Sequence, residues 1–190
     1  MMRRPVPAQT DTARLQLRHW RDADRAPFAA MGTDPELMRY FPSLLTREAS
    51  DKSIDAWQAQ HAERGWSNWA IELRATGEFI GFAGLTVPVR QLPFTPCVEI
   101  GWRLARAHWG QGYATEAARE ALRIGFEDIG LAEIVSFTAA VNARSWAVIE
   151  RLGMVRDADF AYPAFEPSHG LSCHRLYRLR RERWLALGSG

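Results

Sequence analysis

A chain of 190 residues with 47% hydrophobic and 24% charged side chains has the length of one medium domain and the composition of a globular protein, which argues against intrinsic disorder, a fibrous repeat or a second full domain. Its 24 basic and 22 acidic side chains leave a formal net charge of +2, too little for a dedicated nucleic-acid or membrane-surface binder. Two cysteines, Cys97 and Cys173, form no CxxC clip, and Cys and His nowhere adopt metal-ligand spacing, so no metal is expected.

One domain over 1–190 is expected, with flexible ends over 1–12 and 186–190. Arg3 and Arg4 are followed by prolines and polar residues without the apolar stretch of a signal peptide, and no run of 18 apolar residues occurs. A reduced, cytoplasmic protein is therefore the expectation. The basic side chains are Arg except for Lys52, which we read as compositional bias and not as a surface for carboxylates or phosphates.

Alternation from Leu15 to Trp20 predicts a strand, and Asp22 and Asp24 are good N-caps for a helix through Phe28 and Met31. A second helix is predicted from Thr46 to Arg64, with Ile54, Trp57 and His61 on one stripe and Gly65 as its C-cap. Strands are predicted over Trp69–Leu73, Phe79–Val87 and Val98–Leu104, the first two joined by a turn containing Gly77, and Pro88, Pro93 and Pro96 mark a loop. Ala114 to Ile129 repeats at helical spacing up to Gly130. A strand over Ile134–Ala139, a helix over Ser145–Leu152 and a final strand around Leu176–Leu179 follow. Such alternation implies an α/β or α+β sheet covered by helices.

Between the strand ending near Leu104 and the helix starting near Ala114, Gly110 and Gly112 would let backbone amides approach an anion at a helix N-terminus. A GxG also serves turn geometry alone. A P-loop would need Lys after the last Gly, where Tyr113 stands, and a dinucleotide site would place an acidic residue at the end of the next strand, whereas Glu133 precedes it. The pyrophosphate of coenzyme A needs neither.

V-E-I-G-W-R-L at 98–104, W-G-Q-G-Y-A-T-E-A at 109–117, N-A-R-S at 142–145 and R-L-G-M at 151–154 resemble the GNAT superfamily of acyl-CoA-dependent N-acyltransferases. The similarity is to its RimJ/RimL-like branch, typified by ribosomal-protein N-terminal acetyltransferases. The resemblance implies a mixed, mostly antiparallel sheet splayed between the strands holding Glu99 and Phe137, with about four helices on its two faces. It implies acetyl-CoA as co-substrate, no metal, and direct transfer to a primary amine, either a protein N-terminal α-amine or a small-molecule amine. No nucleic-acid or membrane partner follows from it, and a homodimer is left open.

By the same resemblance, pantetheine lies on the main chain of Trp102, Arg103 and Leu104, and Trp109, Gly110, Gln111, Gly112, Tyr113 and Ala114 hold the pyrophosphate. Asn142 contacts pantetheine or orders its loop, as an Asx-turn would. Glu99 serves as base, through a water, unless an Arg pairs with it, and a backbone N–H in a bulged strand after Glu99 is the oxyanion donor. Many relatives use a Tyr seven residues after the Asn to hydrogen-bond the leaving thiolate. Ile149 stands there, which leaves Ser145, otherwise the N-cap of a helix over 146–152.

At pH 7.5 roughly a third of an α-amine is neutral, against about one part in a thousand of a Lys amine, so an α-amine suits this modest set of groups. Ile149 motivates one alternative, a non-catalytic acyl-CoA-binding sensor, and the GxG another, a dinucleotide-binding protein. Residues 28–42 with the Thr46 helix, the 88–96 loop and residues 162–173 are expected to flank the acceptor. Tyr40, Phe41, Trp66, Trp69 and Phe165 either line that pocket or pack in the core. The basic stretch 175–184 is expected to form a solvated strand edge, and Cys173 is not expected to be a nucleophile.

Overall fold

The computed structural model describes residues 6–188. Eight strands form one sheet in the order β1-β2-β3-β4-β5-β6-β8-β7. They are β1 (Gln9–Asp11), β2 (Leu15–Arg18), β3 (Asn68–Leu73), β4 (Phe79–Thr86), β5 (Glu99–Leu104), β6 (Glu133–Ala139), β7 (Val155–Ala161) and β8 (Cys173–Arg180). Every neighbouring pair is antiparallel except β5 with β6. Helices α1 (Arg25–Gly32), α2 (Pro35–Met38) and α3 (Arg47–Arg64) precede β3; α4 (Tyr113–Arg123), α5 (Ala143–Arg151) and α6 (Arg181–Leu187) follow β5.

Local chemistry sets the clearest boundaries. The Thr46 hydroxyl accepts from the Ala49 N–H to start α3, and Gly65 stops it at φ 83°, a conformation that glycine adopts without strain. Only one side of α3, through Ser50, Ile54 and His61, is fully buried. Gly77 supplies the positive φ of the β3–β4 turn.

Two apolar clusters cover the sheet. Leu15, Leu17, Ile80, Leu85 and Ile100 pack with Ala117, Ala121 and Leu122 of α4 and Ile149 of α5, while Phe28, Met31, Leu37, Met38 and Ile54 pack against Ala70 and Phe82. Along β5, therefore, Ile100 and Leu104 face α4, and Glu99, Gly101 and Arg103 face the side of α1 to α3.

Several expectations are corrected. The predicted N-terminal tail already pairs at Gln9–Asp11, and α6 runs into the predicted C-terminal tail as far as Leu187; residues 1–5 and 189–190 lie outside the described residues. Asp22 to Asp24 forms a single 3₁₀ turn. Asp24 does not cap α1: it is buried, with its two oxygens 2.7 and 2.9 Å from the guanidinium of Arg18. The helix after Gly112 is α-helical only to Arg123 and finishes as a π-helix over Ile124–Ile129. The basic stretch 175–184 is no edge, because β8 lies between β6 and β7 and its continuation folds as α6. Arg178 there pairs with both Glu133 and Asp157.

Candidate active site

The parallel neighbours β5 and β6 meet in register only at Glu99 and Val135. At this junction the Val135 N–H donates to the Val98 carbonyl at 2.9 Å, and the Ser136 hydroxyl donates to the Ile100 carbonyl at 3.0 Å. Beyond it the strands part, opening a V toward their carboxyl ends. The Ala105 N–H donates to Ile80 of β4, so by alternation even-numbered residues of β5 direct their main chain into the V. Trp102 N–H and C=O and Leu104 N–H thus line the gap with no β6 residue opposite them. The Leu104 carbonyl accepts from the Trp109 indole at 2.8 Å.

Two expectations about this strand are overturned. β5 pairs with β4 in unbroken register from Gly81–Leu104 to Thr86–Glu99; departure of β6, not a bulge, frees the edge. Arg103 turns its carbonyl toward β4, where a Cβ on Gly81 would come within 2.1 Å of it, so its main chain does not face the gap.

At the mouth of the V, a short 3₁₀ turn, Arg106–His108, leads into Trp109 and the two glycines. Gly110 and Gly112 have φ of 73° and 83°. Among the described residues no atom lies within 4 Å of a Cβ placed on Gly110, and only Arg14 Nη2, at 3.4 Å, does so for Gly112. Gly112 begins α4 with no side-chain cap, so the amides of Tyr113 and Ala114 face outward at the positive end of the helix dipole. An anion of pyrophosphate type fits this cradle, since two side-chain-free positions let it reach the amides. Trp109 touches both apolar clusters and carries the Arg144 guanidinium 4.6 Å above its ring. Gln111 is exposed and donates to the Ala107 carbonyl at 3.2 Å.

Sequence reasoning missed the brace of this loop. Arg14, between β1 and β2, donates to the Gln111 carbonyl at 2.9 Å and to Glu116 of α4 at 2.7 Å, and its guanidinium stands 4.5 Å from the Tyr113 ring. Burial alone would raise the Glu116 pKa, but hydrogen bonds from Thr12 and Arg14 outweigh it and hold the carboxyl below its ordinary range. A contact spanning nearly a hundred residues leaves no local trace, and Arg14 is one of many arginines.

Glu99 occupies the apex of the V. Among the described residues it has no ion-pair or hydrogen-bond partner, and burial pushes its pKa up to about 8; the expected alternative of an Arg partner is not what the structure contains. Tyr162 is close enough that Glu99, after burial, contributes to raising its pKa. Tyr162 belongs to an aromatic group with Phe137, Phe160, Phe165 and His174, and Phe94 of the proline-rich loop packs on Phe137 at 5.6 Å. Arg90 of the same loop stands 5.8 Å from the Tyr162 ring, so residues 88–96 and 162–173 meet on this side.

Asn142, not Ser145, caps α5. Its side chain accepts from the Ser145 N–H at 3.3 Å and donates to Thr138 Oγ1 at 2.9 Å, which fixes the turn from β6 into the helix. Ser145 lies in the first turn with no hydroxyl partner among the described residues, whereas Ile149 is fully buried in the core and offers no proton. Of the aromatics expected near an acceptor, Phe41 lies beside Arg103 at 4.3 Å. Trp69 is wholly buried and Trp66 packs on the α4-side cluster, so those two belong to packing.

A family model described as Acetyltransferase (GNAT) domain matches residues 14–155. The chain belongs to the GNAT acetyltransferase family. It is 35% identical over 144 residues to the uncharacterized protein YkkB of Bacillus subtilis, covering 75% of this chain and 83% of that one. It is 32% identical over 185 residues to the FsC-acetyl coenzyme A-N(2)-transacetylase of Aspergillus fumigatus, covering 93% of this chain and 77% of the relative. A crystal structure of an acetyltransferase from Agrobacterium tumefaciens superposes with a TM-score of 0.73 at 28% identity, over 92% of this chain and 95% of that one. This GNAT protein is an N-acetyltransferase; enzymes of the family move an acetyl group from acetyl-CoA to an amine. Among its described residues no cluster of His, Cys, Asp and Glu could hold a metal ion, and no helix is long and apolar enough to cross a membrane.

Proposed function

We propose that this chain works as a single-domain, acetyl-CoA-dependent N-acetyltransferase of the RimJ/RimL-like branch, acting on the primary amine of a small molecule or of a protein N-terminus. The observation that carries this reading is the unpartnered carboxyl of Glu99 at the apex of the V, next to a main-chain edge that no strand covers. Bound acetyl-CoA supplies the thioester carbonyl that the amine attacks and the thiolate that leaves.

The residues of the chain divide the remaining work. Gly110 and Gly112 bring the amides of Tyr113 and Ala114 to the pyrophosphate, supported by Trp109 and Gln111, and Trp102 and Leu104 bond pantetheine along the gap. The Trp102 N–H is the oxyanion donor, because it is a fixed dipole that needs no reorganisation. Glu99 takes the proton of the acceptor ammonium, whose positive charge favours the ionised carboxylate. Ser145 donates to the departing thiolate, and Asn142 holds Ser145 in place through the cap.

The name of the Aspergillus relative specifies acetyl coenzyme A and an N(2) position, which supports transfer to an amine nitrogen. The test is thiol release from acetyl-CoA over a panel of small amines and of peptides with different first residues. Turnover with one class assigns the acceptor; binding of acetyl-CoA without turnover anywhere in the panel would make the protein a sensor.

A further inference from the structure

Among the described residues the Arg103 guanidinium meets no anion, and its Nε and Nη1 are buried with no hydrogen-bond partner. Its immediate surroundings are the rings of Phe41, Phe82 and Phe28, at 4.3, 5.5 and 5.9 Å from the guanidinium carbon. Ring faces attract a guanidinium but cannot accept its directed N–H bonds. The same sheet face shows how this fold treats another buried arginine: Arg18 is met by both Asp24 and Glu72 at 2.7 Å. Nothing comparable among the described residues meets Arg103, and burial lowers its pKa to about 10.

The surroundings point to a ligand as the missing partner. Arg103 and Glu99 share one face of β5, separated by four residues or about 13 Å between Cα atoms. Gly101 lies between them, with no atom of the described residues within 4 Å of a Cβ placed on it, so the strand floor there is open. Phe41, which stacks on the guanidinium, is 40% exposed and forms a lip of the opening. With glycine at 101, no side chain of the strand itself fills the floor between the two groups.

We propose that the acceptor carries a carboxylate as well as its amine, and that Arg103 is the specificity-determining residue that binds this carboxylate while the amine lies toward Glu99. The proposal rests on the acetyl-transfer reading and narrows its acceptor to free amino acids and their close derivatives. The N-terminus of a peptide has its first carboxyl tied up as an amide. A guanidinium fork paired with a carboxylate makes two parallel charge-assisted bonds, which amide and alkyl groups cannot match.

Two measurements test this. In a thiol-release assay, amino acids are compared with their carboxamides and with parent alkylamines. The acids are expected to exceed the amides about 10- to 100-fold in kcat/KM, the range for charge-assisted bonds made at a buried site. Arg103→Met should collapse that preference by raising KM for the acids while KM for acetyl-CoA stays put, and Arg103→Lys should keep a part of it. Equal use of amides and acids by the wild type, or an acid preference that survives in Arg103→Met, overturns the proposal.

In the second, N-acetylated amino acids and their amides are titrated by calorimetry into the wild-type protein with coenzyme A bound. This requires neither turnover nor a folded variant: tighter binding of the acids upholds the role of Arg103, and no discrimination removes it. If no amine is acetylated while the acids still bind preferentially, the transfer reading fails and the carboxylate site stands.

Discussion

Glu99 and Arg103 lie on the same face of β5 and do not pair. Four residues of extended strand hold their backbones about 13 Å apart, and each is left to the consequences of burial: the carboxyl is pushed up to about 8 and the guanidinium down to about 10. Desolvation without compensation costs free energy at both positions. A ligand bringing an ammonium to one end and an anion to the other would relieve both costs at once.

The first prediction concerns rate. Only ionised Glu99 can accept a proton, so kcat/KM should climb with pH and level off above about 8. Glu99→Gln should lower kcat by about 10²- to 10⁴-fold with little change in the KM for acetyl-CoA. The acceptor amine titrates in the same region, so the decisive comparison is between the wild-type and Glu99→Gln profiles with one acceptor. Identical profiles and similar kcat would return Glu99 to a structural role.

The same residue predicts a dependence of stability on pH. Its folded pKa of about 8 lies above its ordinary 4.5. Between those values the unfolded chain ionises while the folded one keeps its proton. The contribution of protonated Glu99 is therefore fully present below 4.5 and lost as pH rises toward 8. Glu99→Gln, which stays neutral, should be more stable than wild type at pH 8 to 9, by up to about 5 kcal/mol. The gain should vanish below pH 4.5. Denaturant melts at both ends of the range check the sign, and a variant that is less stable at pH 9 refutes it.

Gly112→Leu should abolish binding of coenzyme A while leaving the protein folded. A side chain at φ 83° costs about 1–2 kcal/mol, which a domain tolerates, and its Cβ would stand 3.4 Å from Arg14 Nη2 with the rest of the side chain over the outward-facing amides. Gly110→Ala, with no atom near its added carbon, should weaken binding less. Calorimetry with coenzyme A beside a thermal melt separates the two effects; undiminished affinity in Gly112→Leu would show that the amides are not the cradle.

Legibility in the sequence followed the range of the interactions. The Gly65 cap, the glycine loop and the strand bearing Glu99 are written in neighbouring residues and appear where expected. β7 was missed because Val155–Ala161 carries Arg156, Asp157 and Asp159 on a largely exposed edge and shows no buried alternation. Asp24 reads locally as a cap, yet Arg18 and the interior claim it. The alternation that identifies β5 as a strand also assigns Arg103 to a face, but the rings that surround its guanidinium come from residues 28, 41 and 82, and no local pattern announces them. Arg14 is a brace only because β1 and β2 fold beside α4.

The Arg18 cluster supplies the last prediction. Asp24 and Arg18 are both almost wholly enclosed, and Glu72 and the His19 carbonyl would be left to hold the guanidinium if Asp24 were removed. Breaking a buried pair by deleting one partner typically costs about 3–5 kcal/mol, because the other charge stays desolvated. With Glu72 still bonded to Arg18, Asp24→Ala should fall at the lower end of that range. Arg18→Met combined with Asp24→Leu removes both buried charges and should be less destabilising than Asp24→Ala alone, since apolar replacement of a whole pair is often neutral. Urea melts of the two variants decide it. A double variant weaker than Asp24→Ala would mean that the ion pair stabilises the fold beyond satisfying its own buried charges.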